Sequence, residues 1–196
     1  LMAWNGPASS KMFAAAGGSI WDVTTLDAAG VAVLTGLGED RWQCCNMTTS
    51  AGAFLVLANG TDAVRNYDGT TWTTPSITGV TSTDLIHACV HKKRLWFVEK
   101  NSTKAWYLPT EAIAGAATAF QLGSNFDLGG YLVAMGTWTL DAGAGPDDYA
   151  VFVSSKGQIA VYQGTDPSSA SPWALLGVFN QAAPNGRRCL PKYGNS

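Results

Sequence analysis

One pattern constrains this chain more than any other. A hydrophobic strand, a Gly/Asn/Ser turn and a short strand closing on an aromatic residue return four times. The copies are 11–24 (KMFAAAGGSIWDVT), 52–69 (GAFLVLANGTDAVRNYDG), 94–108 (RLWFVEKNSTKAWYL) and 148–164 (DYAVFVSSKGQIAVYQG). Their closing aromatics, Trp21, Tyr67, Tyr107 and Tyr162, stand 46, 40 and 55 residues apart. Units of this length that read entirely as short strands are the signature of sheets repeated around an axis. The expected fold is all-β, a β-propeller of four-stranded antiparallel blades.

Each unit divides into four strands. First strands are expected at 1–5, 41–49, 85–92 and 131–140, and second strands at 11–16, 53–58, 94–99 and 149–154. The second strands are nearly continuous apolar runs, as suits strands buried on both faces between neighbouring sheets. The turns after them, Gly17-Gly18-Ser19, Asn59-Gly60, Asn101-Ser102 and Lys156-Gly157, supply the positive φ of tight hairpins. Third strands end at the aromatics. Fourth strands are expected at 31–37, 71–77, 117–122 and 173–179. The blades then cover about 1–38, 41–80, 85–123 and 130–179, with a further blade starting at 187–196. Four blades and an orphan strand form one propeller region that is incomplete, and the chain is expected to be a fragment of a longer polypeptide. The alternative, an orphan strand pairing back onto the first blade to close the ring, conflicts with 1–5 already filling that slot.

Three stretches fall outside the strand pattern. Residues 111–119 (EAIAGAATA) are expected to form a loop with one helical turn, too short for an isolated helix. Residues 141–148 (DAGAGPDD) and 165–172 (TDPSSASP) are expected to be loops.

Composition narrows the function classes. Only 13% of residues are charged, against about a quarter in an average protein. The formal net charge of −2 argues against a basic nucleic-acid clamp. No apolar run approaches the ~20 residues of a membrane helix, and no signal peptide is expected at the start. The four cysteines include the adjacent pair Cys44 and Cys45 but no C-x-x-C, so zinc-ribbon and thioredoxin patterns are missing and buried thiols are expected. The sequons at Asn46, Asn59 and Asn101 read as chance in a chain rich in Asn, Ser and Thr.

The sharpest local pattern is His87-Ala88-Cys89-Val90-His91. On a strand, residues i, i+2 and i+4 share a face, so His87, Cys89 and His91 align and are the candidate metal ligands. Successive same-face side chains lie ~7 Å apart, which does not suit one tetrahedral ion. The plainer expectation is a first strand with these three residues lining a channel and Ile86, Ala88 and Val90 in the core. No metal and no cofactor are expected.

Lys92-Lys93-Arg94 is the densest basic run, and with Arg187-Arg188 it forms the candidate interaction surface toward phosphate or an acidic partner; the plainer reading is solvated turns. Catalytic residues are not expected: Asp147-Asp148 and Glu39-Asp40 are loop neighbours rather than opposed acids. The sequence carries no G-x-S-x-G, H-E-x-x-H, Walker or dinucleotide pattern. In Tyr67-Asp68-Gly69-Thr70-Thr71-Trp72, Asp68 and Gly69 are expected to make a turn and Trp72 to wedge between blades. The motif lacks the spacing of a sialidase Asp box, and the five arginines are too dispersed in sequence to show a sialidase cluster.

The strings NGPASSKMFAAAGGSIWDVT, HKKRLWFVEKNSTKAWYLP, GGYLVAMGTWTLDAGAGPDDYAVFVSS and AVYQGTDPSSASPWALLGVF resemble a family of virion or tail structural proteins of tailed bacteriophages and prophages. The resemblance covers nearly the whole chain and is similar to the propeller part of the tail-nozzle subunits of short-tailed phages. It implies a non-enzymatic structural protein and a homo-oligomeric ring through which DNA passes without sequence-specific binding. It further implies other tail or portal/adaptor proteins as partners, location in the virion, and assembly in the bacterial host cytoplasm. It brings no catalytic residues. The alternatives are a carbohydrate- or receptor-binding module using Trp4, Trp106, Trp138 and Trp173, or a glycan-degrading enzyme with a carboxylate pair in a central pocket.

Overall fold

The computed structural model describes residues 1–141, 146–169 and 171–190. Four sheets follow one another along the chain, each with four strands hydrogen-bonded antiparallel in sequence order. Blade 1 holds β1 (Met2–Asn5), β2 (Ser10–Ala16), β3 (Ser19–Asp22) and β4 (Val31–Leu34). Blade 2 holds β5 (Gln43–Thr49), β6 (Gly52–Ala58), β7 (Arg65–Tyr67) and β8 (Trp72–Thr73), and the short β9 (Ile77–Thr78) follows. Blade 3 holds β10 (Leu85–His91), β11 (Arg94–Glu99), β12 (Lys104–Tyr107) and, after the short β13 (Gly115–Ala116), β14 (Thr118–Gln121). Blade 4 holds β15 (Leu132–Asp141), β16 (Pro146–Ser154), β17 (Gln158–Gly164) and β18 (Trp173–Asn180).

Period-2 alternation on the second strands explains how the sheets stack. On β6, Leu55 and Leu57 join Met2, Trp4, Phe13 and Ile20 of blade 1. Their neighbours Phe54, Val56 and Ala58 point the other way, into a cluster with Leu85, Leu95 and Phe97 of blade 3. On β11, Trp96 and Val98 then meet Met135, Phe152 and Trp173 of blade 4. A strand covered on both faces in this way has no polar side. Each fully buried Leu or Phe contributes about 1.5–3 kcal/mol by leaving water. The first strands β1, β5, β10 and β15 lie beside one another in that order, whereas β15 and β1 share no comparable contact. The described blades thus form an open arc.

At both ends of the arc no further described blade covers the outer face, although on blade 4 Cys189 and Leu190 pack over part of it. Trp21, opposite Ala14, and Met12 are exposed on blade 1. On blade 4, Val133, Val151, Val153 and Val161 make a thin cluster of their own, and Trp138 and Phe179 on the same face are exposed.

Several expectations are corrected. Residues 111–119 form no helical turn. Glu111 and Gly115 both have positive φ, and β13 pairs parallel with β9, Gly115 opposite Ile77 and Ala116 opposite Thr78. Its backbone is satisfied across the blade 2–blade 3 boundary instead, with Gly115 N–H to the Ser76 carbonyl and Ala117 N–H to the Thr78 carbonyl, each at 2.8 Å. The expected loop 141–148 is strand at its described residues, 141 and 146–148: β15 and β16 reach as far as Asp141 opposite Pro146, and 142–145 lie outside the described residues. The expected orphan strand is not a strand at 187–190, where the chain turns; residues 191–196 lie outside the described residues.

The third-strand aromatics are not all equivalent. Tyr67 pairs with Leu55 and Tyr162 with Ala150, so both rings face the preceding blade. Tyr107 pairs with Trp96 and faces the following one, and Trp106, paired with Phe97, holds the matching position in blade 3. The repeat therefore slips by one residue there.

Candidate functional site

The first strands present two ends, and the candidate residues distribute between them and the wall in between. His87, Cys89 and His91 do not line a channel. They lie on the face of β10 turned to β15. The Nε2–H of His87 donates to the Met135 carbonyl at 2.8 Å. Thr137 Oγ1 donates to the Val90 carbonyl at 3.1 Å, which leaves its lone pair to accept from His91 Nδ1 at 3.1 Å. Each imidazole is thus a pin between blades 3 and 4, held neutral. Burial pushes the pKa of both down to about 4, and the nearby Lys92 adds to the effect at His91. Cys89 packs at the same boundary. Among the described residues no three His, Cys, Asp or Glu side chains are placed to share a metal ion. The expectation of buried thiols is also corrected: Cys44 is exposed and Cys45, Cys89 and Cys189 are half-buried.

At the end where β10 finishes, Lys92 and Lys93 form the two-residue turn to β11, with φ of 46° and 60°. Their charges are answered inside the chain. Lys92 lies 3.4 Å from Asp148, Lys93 3.0 Å from Glu111, and Arg94 3.3 Å from Asp166. Arg94 also stacks over Tyr107, 5.7 Å from the ring centre. The basic run is a set of separate ion pairs rather than a free patch.

Arg187 and Arg188 sit at the opposite end. After β18 the chain crosses this end from blade 4, Gln181 N–H bonding the Gly157 carbonyl at 2.8 Å. It then reaches blade 2, where Arg187 Nη1 donates to the Asn59 carbonyl at 2.8 Å and Arg188 Nη2 to the Trp42 carbonyl at 3.1 Å. Beneath lies a cavity of about 540 Å³ between the beginnings of β5, β10 and β15, and its lining includes Arg41, Lys100, Arg187 and Arg188 but no carboxylate. Sequence reading joined Arg187 and Arg188 to the Lys92 run; the fold separates them, and adds Arg41 and Lys100, which only the topology brings close.

The tryptophans test the sugar-binding alternative. Trp4 and Trp173 are only 6% exposed and pack between blades. Trp106 is half-buried, its Nε1–H donating to Glu99 at 3.1 Å. Trp138 alone of the four is exposed, on the free face of blade 4. The Asp68 turn forms as the sequence suggests: its Oδ1 accepts from the N–H groups of Thr70 and Thr71 at 2.8 and 2.7 Å, and Trp72 packs on Phe13 of blade 1, ring centres 5.0 Å apart.

Among the described residues, the carboxylates with displaced pKa values are displaced downward, by hydrogen bonds and cations. Arg41 holds Glu39 at about 2, and Thr139 and Lys92 lower Asp148. A general acid needs the opposite shift.

No family model matches the sequence, and no curated protein does. A solved structure of human BBS1N in complex with ARL6DN is similar, with a TM-score of 0.52 and 13% identity over 94% of this chain and 54% of that one. BBS1N is a β-propeller. The fold here is a β-propeller. The identity is low enough that the likeness shows the fold alone, and this chain spans about half the length of the propeller chain it matches. Four blades in an open arc agree with an incomplete propeller. No helix among the described residues is long and apolar enough to cross a membrane.

Proposed function

We propose that this chain is a non-enzymatic structural component of a tailed-bacteriophage virion, a tail protein whose copies form the nozzle ring around the DNA exit channel. The observation that carries this reading is where the phage-like strings fall. The string at 5–24 contains the β2–β3 hairpin, 91–109 contains β11 and β12, 129–155 contains β15 and β16, and 160–179 covers most of β17 and β18. The resemblance therefore lies on the framework that packs blade against blade, not on one loop or pocket. A protein selected for shape rather than chemistry has this distribution. The exposed apolar side chains at the two ends of the arc, Trp21 and Met12 on one and Trp138 and Phe179 on the other, suit a subunit that is covered within an assembly.

The test is electron cryomicroscopy of particles purified from the phage or induced prophage that encodes the chain. Blade-shaped density in symmetric copies at the tail tip supports the reading. Particles complete in every respect but free of this polypeptide contradict it.

A further inference from the structure

We infer that the cavity at the Arg187 end binds a small phosphate-type oxyanion, a polyphosphate chain either free or carried by a nucleotide. This inference does not rest on the virion reading. The charge distribution around the two ends of the arc is its starting point. The chain as a whole is at −2, and at the Lys92 end each cation faces its own carboxylate. At the other end, four cations border one concavity of about 540 Å³, within the usual size of small-ligand sites. Arg41 is held by Glu39 at 2.8 Å and Lys100 by Asp84 at 2.8 Å. Arg187 and Arg188 have no carboxylate partner among the described residues; each is anchored through a single Nη to a backbone carbonyl of blade 2. The lining itself carries four cations and no carboxylate, with Glu39, Asp84 and Asp62 set behind it, and the cations border a low-dielectric floor that includes Ile86 and Val133.

The geometry is built before any ligand arrives. The carbonyls that hold the two guanidinium groups belong to Asn59 and Trp42, residues buried to 1% and 2% exposure. Asn59 is itself fixed, its Nδ2 donating to the Glu39 carbonyl and to Asp62 at 3.0 and 2.7 Å. Lys100 also donates to the Gly60 carbonyl at 3.2 Å. Guanidinium groups offer forked donors matched to phosphate oxygens, and holding them in place removes part of the ordering cost of binding. Tyr131, half exposed at the wall of the cavity, provides a ring on which a base can stack when the phosphates belong to a nucleotide.

Isothermal titration calorimetry of the intact chain with sodium tripolyphosphate and with ATP tests this. Saturable binding that weakens with added NaCl is expected. Arg187→Gln/Arg188→Gln weakens it at least tenfold, Arg187→Lys/Arg188→Lys retains more than the Gln pair, and Lys92→Gln/Lys93→Gln at the opposite end leaves it unchanged. Equal affinity for the two ligands assigns the site to the phosphate chain alone; tighter ATP binding that Tyr131→Ala removes assigns it to a nucleotide. Absence of binding to both, or binding that the Gln pair leaves intact while circular dichroism shows a native fold, overturns the inference. So does equal loss in the Gln and Lys pairs, which would mark the arginines as mere struts of the tail.

Discussion

The indole of Trp4, on the first strand of blade 1, donates its Nε1–H to the carbonyl of Ala53 on blade 2 at 3.0 Å. The same ring meets Tyr67 edge-on, centres 5.6 Å apart, and lies against Gly69. One side chain thus supplies apolar area, a buried hydrogen bond and a ring contact to a single interblade boundary. Trp4→Ala is expected to lower stability by about 3–5 kcal/mol, the usual cost of truncating a buried large aromatic. Trp4→Phe is expected to cost less, chiefly by orphaning the Ala53 carbonyl. Urea denaturation of both variants checks the order.

Gly69 has φ of +100°, and a Cβ built there would lie 2.6 Å from the Trp4 ring. Gly69→Ala therefore combines backbone strain with overpacking, and about 1–3 kcal/mol is expected to be lost. In a Trp4→Ala background the clash vanishes and only the backbone part remains. A double-mutant cycle that shows full additivity would contradict this contact.

Asp40, on the connection between blades 1 and 2, accepts from the N–H groups of Gly17 and Gly18 at 2.9 and 3.0 Å. It closes the β2–β3 hairpin from outside its own sheet. Asp40→Ala is expected to cost about 1–3 kcal/mol, the value of hydrogen bonds to a charged acceptor, and Asp40→Asn less. Faster amide exchange at Gly17 and Gly18, with β11 unaffected, is the local signature to look for.

The two histidines at the blade 3–blade 4 boundary predict an acid-sensitive step. Burial lowers both pKa values to about 4, from about 6.5 in the unfolded chain. Between these values the unfolded state binds more protons than the folded one, so stability is intact above pH 6.5 and falls as the pH drops toward 4. Each group contributes up to about 3 kcal/mol at 1.36 kcal/mol per pKa unit. His87→Gln, which keeps a donor for the Met135 carbonyl, is expected to flatten the slope by about half. A thermal midpoint independent of pH from 7 to 4.5 would refute it.

Legibility in the sequence followed a physical line. The second strands of blades 2 and 3 could be read because both their faces are dry, which leaves an uninterrupted apolar run at 53–58 and at 95–98. The Asp68 turn could be read because its side chain satisfies its own neighbours. The Tyr107 slip could not, since Trp106 and Tyr107 are adjacent aromatics and only pairing with Phe97 and Trp96 decides which faces which blade. Residues 111–119 misled because Ala-rich composition favours helix, whereas the free strand edge at Ile77–Thr78 offered backbone partners that outweigh propensity. At the candidate site the failure was one of distance. Asp148 and Asp166, which neutralise Lys92 and Arg94, and Asn59 and Trp42, which anchor Arg187 and Arg188, are remote in sequence from the groups they hold. His87 and His91 showed the right periodicity, but which neighbour they faced depended on the sheet order.

The central claim is that the four sheets follow one another around an axis, so that each touches only its neighbours. Ring-proton nuclear Overhauser contacts measure this most directly. The arc predicts a contact between Trp96 of blade 3 and Phe152 of blade 4, whose ring centres are 5.7 Å apart, and between Phe13 and Trp72 across the first boundary. It predicts none between Trp4 and Phe152. A Trp4–Phe152 contact, bringing the first and last sheets face to face, would contradict the account.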